Sequence, residues 1–159
     1  NFGKEILKPS GSINRQILGR MVFADSEKLK KLNEISHPTI AEMIKKEYLK
    51  SVSDSVDKIV FLEAALLIET DWYKFCDQTW IVMLDTDIAV KRLQMRDGLN
   101  KDEAESRINV QLNPEDRLKY ADVILKNNKS PENLIFQTDK ALQSFKISRS
   151  KGNITKKNI

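Results

Sequence analysis

The sequence predicts an α/β protein: a parallel sheet with helices on both faces. Three observations carry that prediction. Apolar runs of strand length occur at residues 58–62, 79–84 and 122–125. Each is continuous rather than alternating, the pattern of strands buried on both faces. Segments with helix-start signals lie between the last two runs, and strands separated by helices build parallel sheets.

The elements follow in chain order. Asn14 to about Phe23 reads as a helix with Ile13, Ile17, Leu18 and Met21 on one side. Ser26 to Ser36 reads as a second, carrying Leu29, Leu32 and Ile35. His37-Pro38 is expected to interrupt it, because the residue before proline is pushed out of helical geometry. Thr39 with Glu42 has the capping-box spacing and would start a third helix over about 39–51. The run Lys58-Ile59-Val60-Phe61-Leu62 is the first strand candidate. After the second, Thr79 to Leu84, Asp85 or Thr86 caps a helix reaching Asp97. Asn100 with Glu103 caps the next, to about Leu112. Asn113-Pro114 opens another, with proline at the first helical position. Asp122 to Leu125 is the third strand. Ser130-Pro131 opens a last helix with a stripe of Leu134, Thr138, Ala141, Leu142 and Phe145.

Bulk properties narrow the function classes. A chain of 159 residues fits one domain. No stretch is long and apolar enough for a membrane span. The single Cys76 excludes an internal disulfide framework and points to a reducing, cytoplasmic setting. With one His and one Cys, zinc sites and most hydrolase arrangements lack the inventory. The net charge is +4, but residues 146–159 hold five basic residues and no acidic one, so residues 1–145 sum to −1. That basic Ser/Asn/Lys-rich tail is expected to be disordered. The nearly neutral body argues against nucleic acid as a partner.

Ligands of open parallel sheets bind at the carboxyl ends of the strands, here Glu63, Asp85 and Asn127-Asn128. Arginine placement is the most informative feature. Arg92 and Arg96 are four apart on one predicted helix, as are Arg107 and Gln111 on the next, and Arg117 sits in the first turns of the one after. Gly98 lies between the first two. Guanidinium groups hold phosphate oxygens through paired hydrogen bonds and stay charged near neutral pH. Two hinged helices bearing arginines suit a lid over a polyphosphate. The same spacing fits a solvated surface on which Glu103 and Arg107 form an ordinary helical ion pair. Glu63, ahead of Ala64-Ala65-Leu66, reads equally as a ligand carboxylate or as a helix-start residue. His37 is able to hydrogen-bond a phosphate or hydroxyl, and is also a natural corner residue before Pro38. Asn14 and Arg15 follow Gly11-Ser12 at a helix start, where anions bind and where capping alone explains an Asn.

Five stretches in order resemble the dephospho-coenzyme A kinase family: Phe2-Gly3 through Val22-Phe23, with Gly11-Ser12-Ile13-Asn14-Arg15; Leu32-Asn33 to His37-Pro38; Leu62-Glu63-Ala64-Ala65-Leu66-Leu67-Ile68-Glu69; Arg96-Asp97-Gly98-Leu99 with Ala104, Arg107 and Gln111; and Ala121-Asp122-Val123-Ile124 with Asn127-Asn128. The resemblance covers almost all of residues 2–145. It implies a three-layer P-loop kinase fold with a parallel sheet, a substrate-binding helical region at about 14–51 and a lid at about 86–120. It implies transfer of the ATP γ-phosphoryl group to the 3′-hydroxyl of dephospho-coenzyme A, with Mg²⁺, by a monomer or weak oligomer. On matched positions Arg96 is the catalytic lid arginine. Arg92, Arg107, Gln111, Arg117 and Asn127 fall on the ATP side, and Asn14, Arg15, His37, Glu63 and Leu66 on the acceptor side. Ala64-Ala65 resembles the eukaryotic enzymes, in which the kinase is the C-terminal part of a bifunctional coenzyme A synthase.

One departure stands out. The five glycines, Gly3, Gly11, Gly19, Gly98 and Gly152, form no Gly-x-x-x-x-Gly-Lys cradle. The family's first strands, phosphate loop and metal-holding residues are therefore not in this sequence. The expectation is a truncated chain, inactive by itself. Other readings are another P-loop nucleoside or nucleotide kinase, or a non-catalytic ligand-binding domain.

Overall fold

The computed structural model describes residues 2–53, 55 and 57–152. The element order is α1 (Arg15–Phe23), α2 (Ser26–Val52), β1 (Trp80–Met83), α3 (Thr86–Asp97), α4 (Lys101–Ile108), α5 (Pro114–Leu118), β2 (Val123–Lys126) and α6 (Pro131–Ser150), with 3₁₀ turns at Lys4–Ile6 and Trp72–Phe75. The chain forms two compact units: Asn1–Lys58 with Asn100–Ile108, and Ile59–Leu99 with Asn109–Ile159.

In the first unit the short turn Lys4–Ile6, which buries Ile6, leads to an antiparallel bridge between Leu7 and Ile13. Asn14 then caps α1, its Oδ1 accepting from the N–H groups of Gln16 and Ile17. Asp25 caps α2 in the same way, accepting from Glu27 and Lys28. The break expected at His37-Pro38 does not occur. Residues 26–52 form one helix of 27 residues with Pro38 inside it, so Thr39 and Glu42 lie mid-helix and cap nothing. Proline removes one intrahelical hydrogen bond at a local cost of about 3 kcal/mol. A helix of more than seven turns keeps enough remaining bonds to run through. The core of this unit is Ile6, Val22 and Ala104, the last completely inaccessible to solvent. The buried residue of α1 is thus Val22, whereas Ile13 and Ile17 are exposed.

The second unit holds the sheet. β1 and β2 pair in parallel, with Trp80 opposite Val123 and Met83 opposite Lys126. The register is pinned at the entry end, where the Asp122 carboxylate accepts from the N–H of buried Thr79 at 2.7 Å. α6 covers the free side of β2: the Gln137 amide bonds both the N–H and the C=O of Lys126, at 2.9 Å each. One side chain thereby supplies what a neighbouring strand would. The stripe predicted for α6 is half-buried along its length, while Ile135 and Phe136 face outward. α6 runs to Ser150, so Lys146 and Arg149 are helical, not part of a disordered tail; the expectation for 153–159 lies outside the described residues.

Two strand expectations need correcting. Residues 58–62 form no strand, and among the described residues the sheet has two strands. An apolar run becomes a strand only by pairing with another strand, and no described strand pairs with this run. Phe61 instead packs edge-on against Trp80, ring centres 5.9 Å apart. Burial on both faces also fails: Ile81 and Leu125 are buried, but Val82 and Ile124 each expose 48% of their surface. α4 is shorter than expected, ending at Ile108 instead of near Leu112.

Candidate functional site

The expected residues fall into separate groups, described unit by unit. In the first unit, α1 and α4 present Asn14, Arg15 and Arg107. Arg15 is exposed in the first turn of α1 and makes no hydrogen bond or ion pair to a described residue. His37 is half-buried along α2. Arg107 faces α1, its guanidinium 5.3 Å from the centre of the Phe23 ring. A Cβ placed on Gly19 would sit 3.9 Å from the Arg107 Nη2. One turn earlier on α4, Glu103 bonds in two directions. Its Oε2 accepts from the Asn100 N–H, completing a reciprocal capping box in which Asn100 Oδ1 accepts from the Glu103 N–H. Its Oε1 pairs with Arg20 of α1 at 3.0 Å. The ion pair expected between Glu103 and Arg107 is therefore replaced by Glu103–Arg20, with Arg107 on an aromatic face.

In the second unit the carboxyl ends of the two strands meet. The N–H of Asp85, which directly precedes α3, donates to Asn128 Oδ1 at 3.0 Å, and Asn128 Nδ2 donates back to Asp85 Oδ1 at 2.8 Å. From the second turn of α3, Arg92 Nη2 donates to the Asn127 carbonyl at 3.2 Å. Arg96 does not join this group. It forms a two-bond pair with its neighbour Asp97, at 2.8 and 3.0 Å, and its side chain is 73% exposed. The Asp97 carboxylate raises the guanidinium pKa above its ordinary value. Gly98 ends α3 in the left-handed conformation, φ 65°, which favours glycine.

Gln111 lies beyond the end of α4, so its helical spacing from Arg107 is lost, and the two residues belong to different units. It accepts instead from Arg117 Nη1 at 3.1 Å. The Arg117 Nε is enclosed with no hydrogen-bond partner among the described residues. Glu63 is exposed and makes no hydrogen bond or ion pair to a described residue. The acidic residue of that stretch that makes a contact is Glu69, whose carboxylate accepts from the Leu112 N–H at 2.6 Å. Leu66 starts the tight turn that follows, its carbonyl accepting from the Thr70 N–H and hydroxyl. The sequence reading missed the Asp85–Asn128 pair as a pair, together with Glu69 and Arg20. Only Asp85 and Asn128 carried a signal, as strand ends 43 residues apart.

The dephospho-CoA kinase (CoaE) family model matches residues 1–133. The chain belongs to the dephospho-CoA kinase family. A dephospho-CoA kinase of Dehalococcoides mccartyi is 39% identical over 127 residues, 80% of this chain and 64% of that protein. One of Carboxydothermus hydrogenoformans is 39% identical over 145 residues, 91% of this chain and 70% of that protein. The chain thus spans about two thirds of the length of these relatives. Among solved structures, a protein of Thermus thermophilus superposes with a TM-score of 0.67 at 31% identity, over 88% of this chain and 70% of its own. The dephospho-CoA kinase of Campylobacter jejuni superposes with a TM-score of 0.56 at 29% identity, over 96% and 74%. The parallel sheet with flanking helices is therefore that of the P-loop kinases of this family.

Proposed function

We propose that the protein transfers the γ-phosphoryl group of ATP to the 3′-hydroxyl of dephospho-CoA, with Mg²⁺. The carrying observation is the family match over residues 1–133, in a chain whose sheet exit gathers Arg92 and Asn127 where such sheets take their ligands. Catalysis of this kind is positioning and charge stabilisation, with little covalent chemistry for the protein to do. In this reading Arg92, Arg107, Gln111, Arg117 and Asn127 serve ATP. The enclosed Arg117 Nε supports its place there, since a buried donor without an acceptor calls for one. Arg96 is the arginine that clamps the transferring group. Asn14, Arg15, His37, Glu63 and Leu66 serve the acceptor. Among the described residues no cluster of three or more His, Cys, Asp or Glu gathers to hold a metal, so no Mg²⁺ ligand is assigned. No helix of the described chain is long and apolar enough to cross a membrane. The reading includes a cytoplasmic setting and a monomer or weak oligomer that takes no nucleic acid.

The test is a substrate panel on the intact protein. Turnover of dephospho-CoA with ATP, and none of nucleosides or nucleoside monophosphates, is expected. Preference for a nucleoside would make it a different P-loop kinase. Calorimetric binding of dephospho-CoA without turnover would make it a binding domain.

A further inference from the structure

The exit loops of β1 and β2 are joined by side chains rather than by the ladder. The ladder's backbone bonding ends when the Asn127 N–H reaches the Met83 carbonyl at 2.8 Å. Beyond it, the Asp85–Asn128 pair closes a ring of two hydrogen bonds. Arg92 then holds the Asn127 carbonyl. Asn127 is thus fixed through its own N–H, its own carbonyl and the side chain of the next residue, while its half-buried side-chain amide makes no hydrogen bond to a described residue. All these partners belong to one compact unit.

We propose that Asp85 and Asn128 are positioning residues for the nucleotide: their reciprocal clasp sets the loop that presents Asn127 to ATP. The inference rests on the kinase reading above. Its chemistry is specific. Asn128 gives one donor and one acceptor, and Asp85 answers with a carboxylate oxygen and its own N–H. Converting Asn128 to aspartate keeps the acceptor but sets two carboxylates against each other. Exchanging the pair, D85N/N128D, restores both bonds: the carboxylate now at position 128 accepts from the backbone N–H of residue 85 and from the side-chain amide introduced there.

The experiment measures kcat and both KM values in the intact protein, with thermal melts as a control for folding. N128D is expected to raise KM for ATP about tenfold or more, with KM for dephospho-CoA within twofold and a melting point close to the parent. D85N/N128D is expected to bring KM for ATP back within about threefold of the parent, and N128A to fall between. An N128D variant with unchanged KM for ATP overturns the inference. So does a double exchange as impaired as N128D. If N128D melts early, the comparison passes to N128A, which adds no charge; an unchanged KM for ATP there overturns the proposal equally. A parent protein that turns over no dephospho-CoA fails the kinase reading itself, an outcome separate from any difference among the variants.

Discussion

Arg96 is held by a residue adjacent in sequence, on a face open to water. Such a pair is weak and screened by salt. A triphosphate offers several anionic oxygens in geometry that suits the same two-bond fork. Exchange of Asp97 for phosphate therefore costs little, and the guanidinium stays charged throughout. Arg96→Ala is expected to lower kcat about 10²-fold with a small change in melting temperature. Arg96→Lys should recover only part, because an ammonium makes no planar fork. Steady-state kinetics checks both, and a kcat within twofold of the parent in Arg96→Ala removes Arg96 from the reaction. The residue scale is also where sequence spacing misled. Arg92 and Arg96 are four apart on α3, yet one turns to Asn127 and the other to Asp97. Spacing places residues on a face; it does not choose between partners.

Helix starts were the most legible elements, because a cap is a local signal. Asn14, Asp85, Asn100, Asn113 and Ser130 each stand where a helix begins. Elements that depend on distant partners were less legible. Residues 58–62 have strand composition but join no strand of the described sheet, and Pro38 has a breaker's chemistry inside a helix long enough to absorb it. The Asp85–Asn128 clasp joins positions 43 apart, which periodicity does not reach. A cap that is also an acid carries a pH signature. The Asp25 carboxylate accepts from the N–H groups at the start of α2, and these bonds, that of Lys28 foremost, hold its pKa below the ordinary carboxylate value. A carboxyl group whose pKa is depressed on folding stabilises the fold above its unfolded value, roughly 4. That contribution is lost as pH falls through the lower, folded value. The first turn of α2 is therefore expected to loosen as pH falls below about 4. Asp25→Asn, which keeps an uncharged cap acceptor, should flatten that dependence. Amide exchange at Glu27 and Lys28 across this range measures it, and identical profiles for parent and variant would remove Asp25 as the source.

At the scale of the whole molecule, the two compact units hold unequal shares of the candidate residues. Asn14, Arg15, His37 and Arg107 lie in one, and Glu63, Leu66, Arg92, Arg96, Gln111, Arg117 and Asn127 in the other. A ligand that binds only the folded protein stabilises it by about 2.7 kcal/mol at a hundredfold excess over Kd, whichever residues it touches. Global melting therefore does not distinguish the two sets, whereas local exchange does, because opening free energies differ from segment to segment. Dephospho-CoA is expected to slow amide exchange in the first turn of α1 and around His37. A non-hydrolysable ATP analogue is expected to slow it at the start of α3 and at residues 127 and 128. Each pattern should persist without the other ligand, since each set draws mainly on contacts within its own unit. Hydrogen–deuterium exchange on the intact protein with one ligand at a time decides it. ATP analogue protecting the start of α1 while residues 127 and 128 exchange as in the free protein would reverse the assignment of sides.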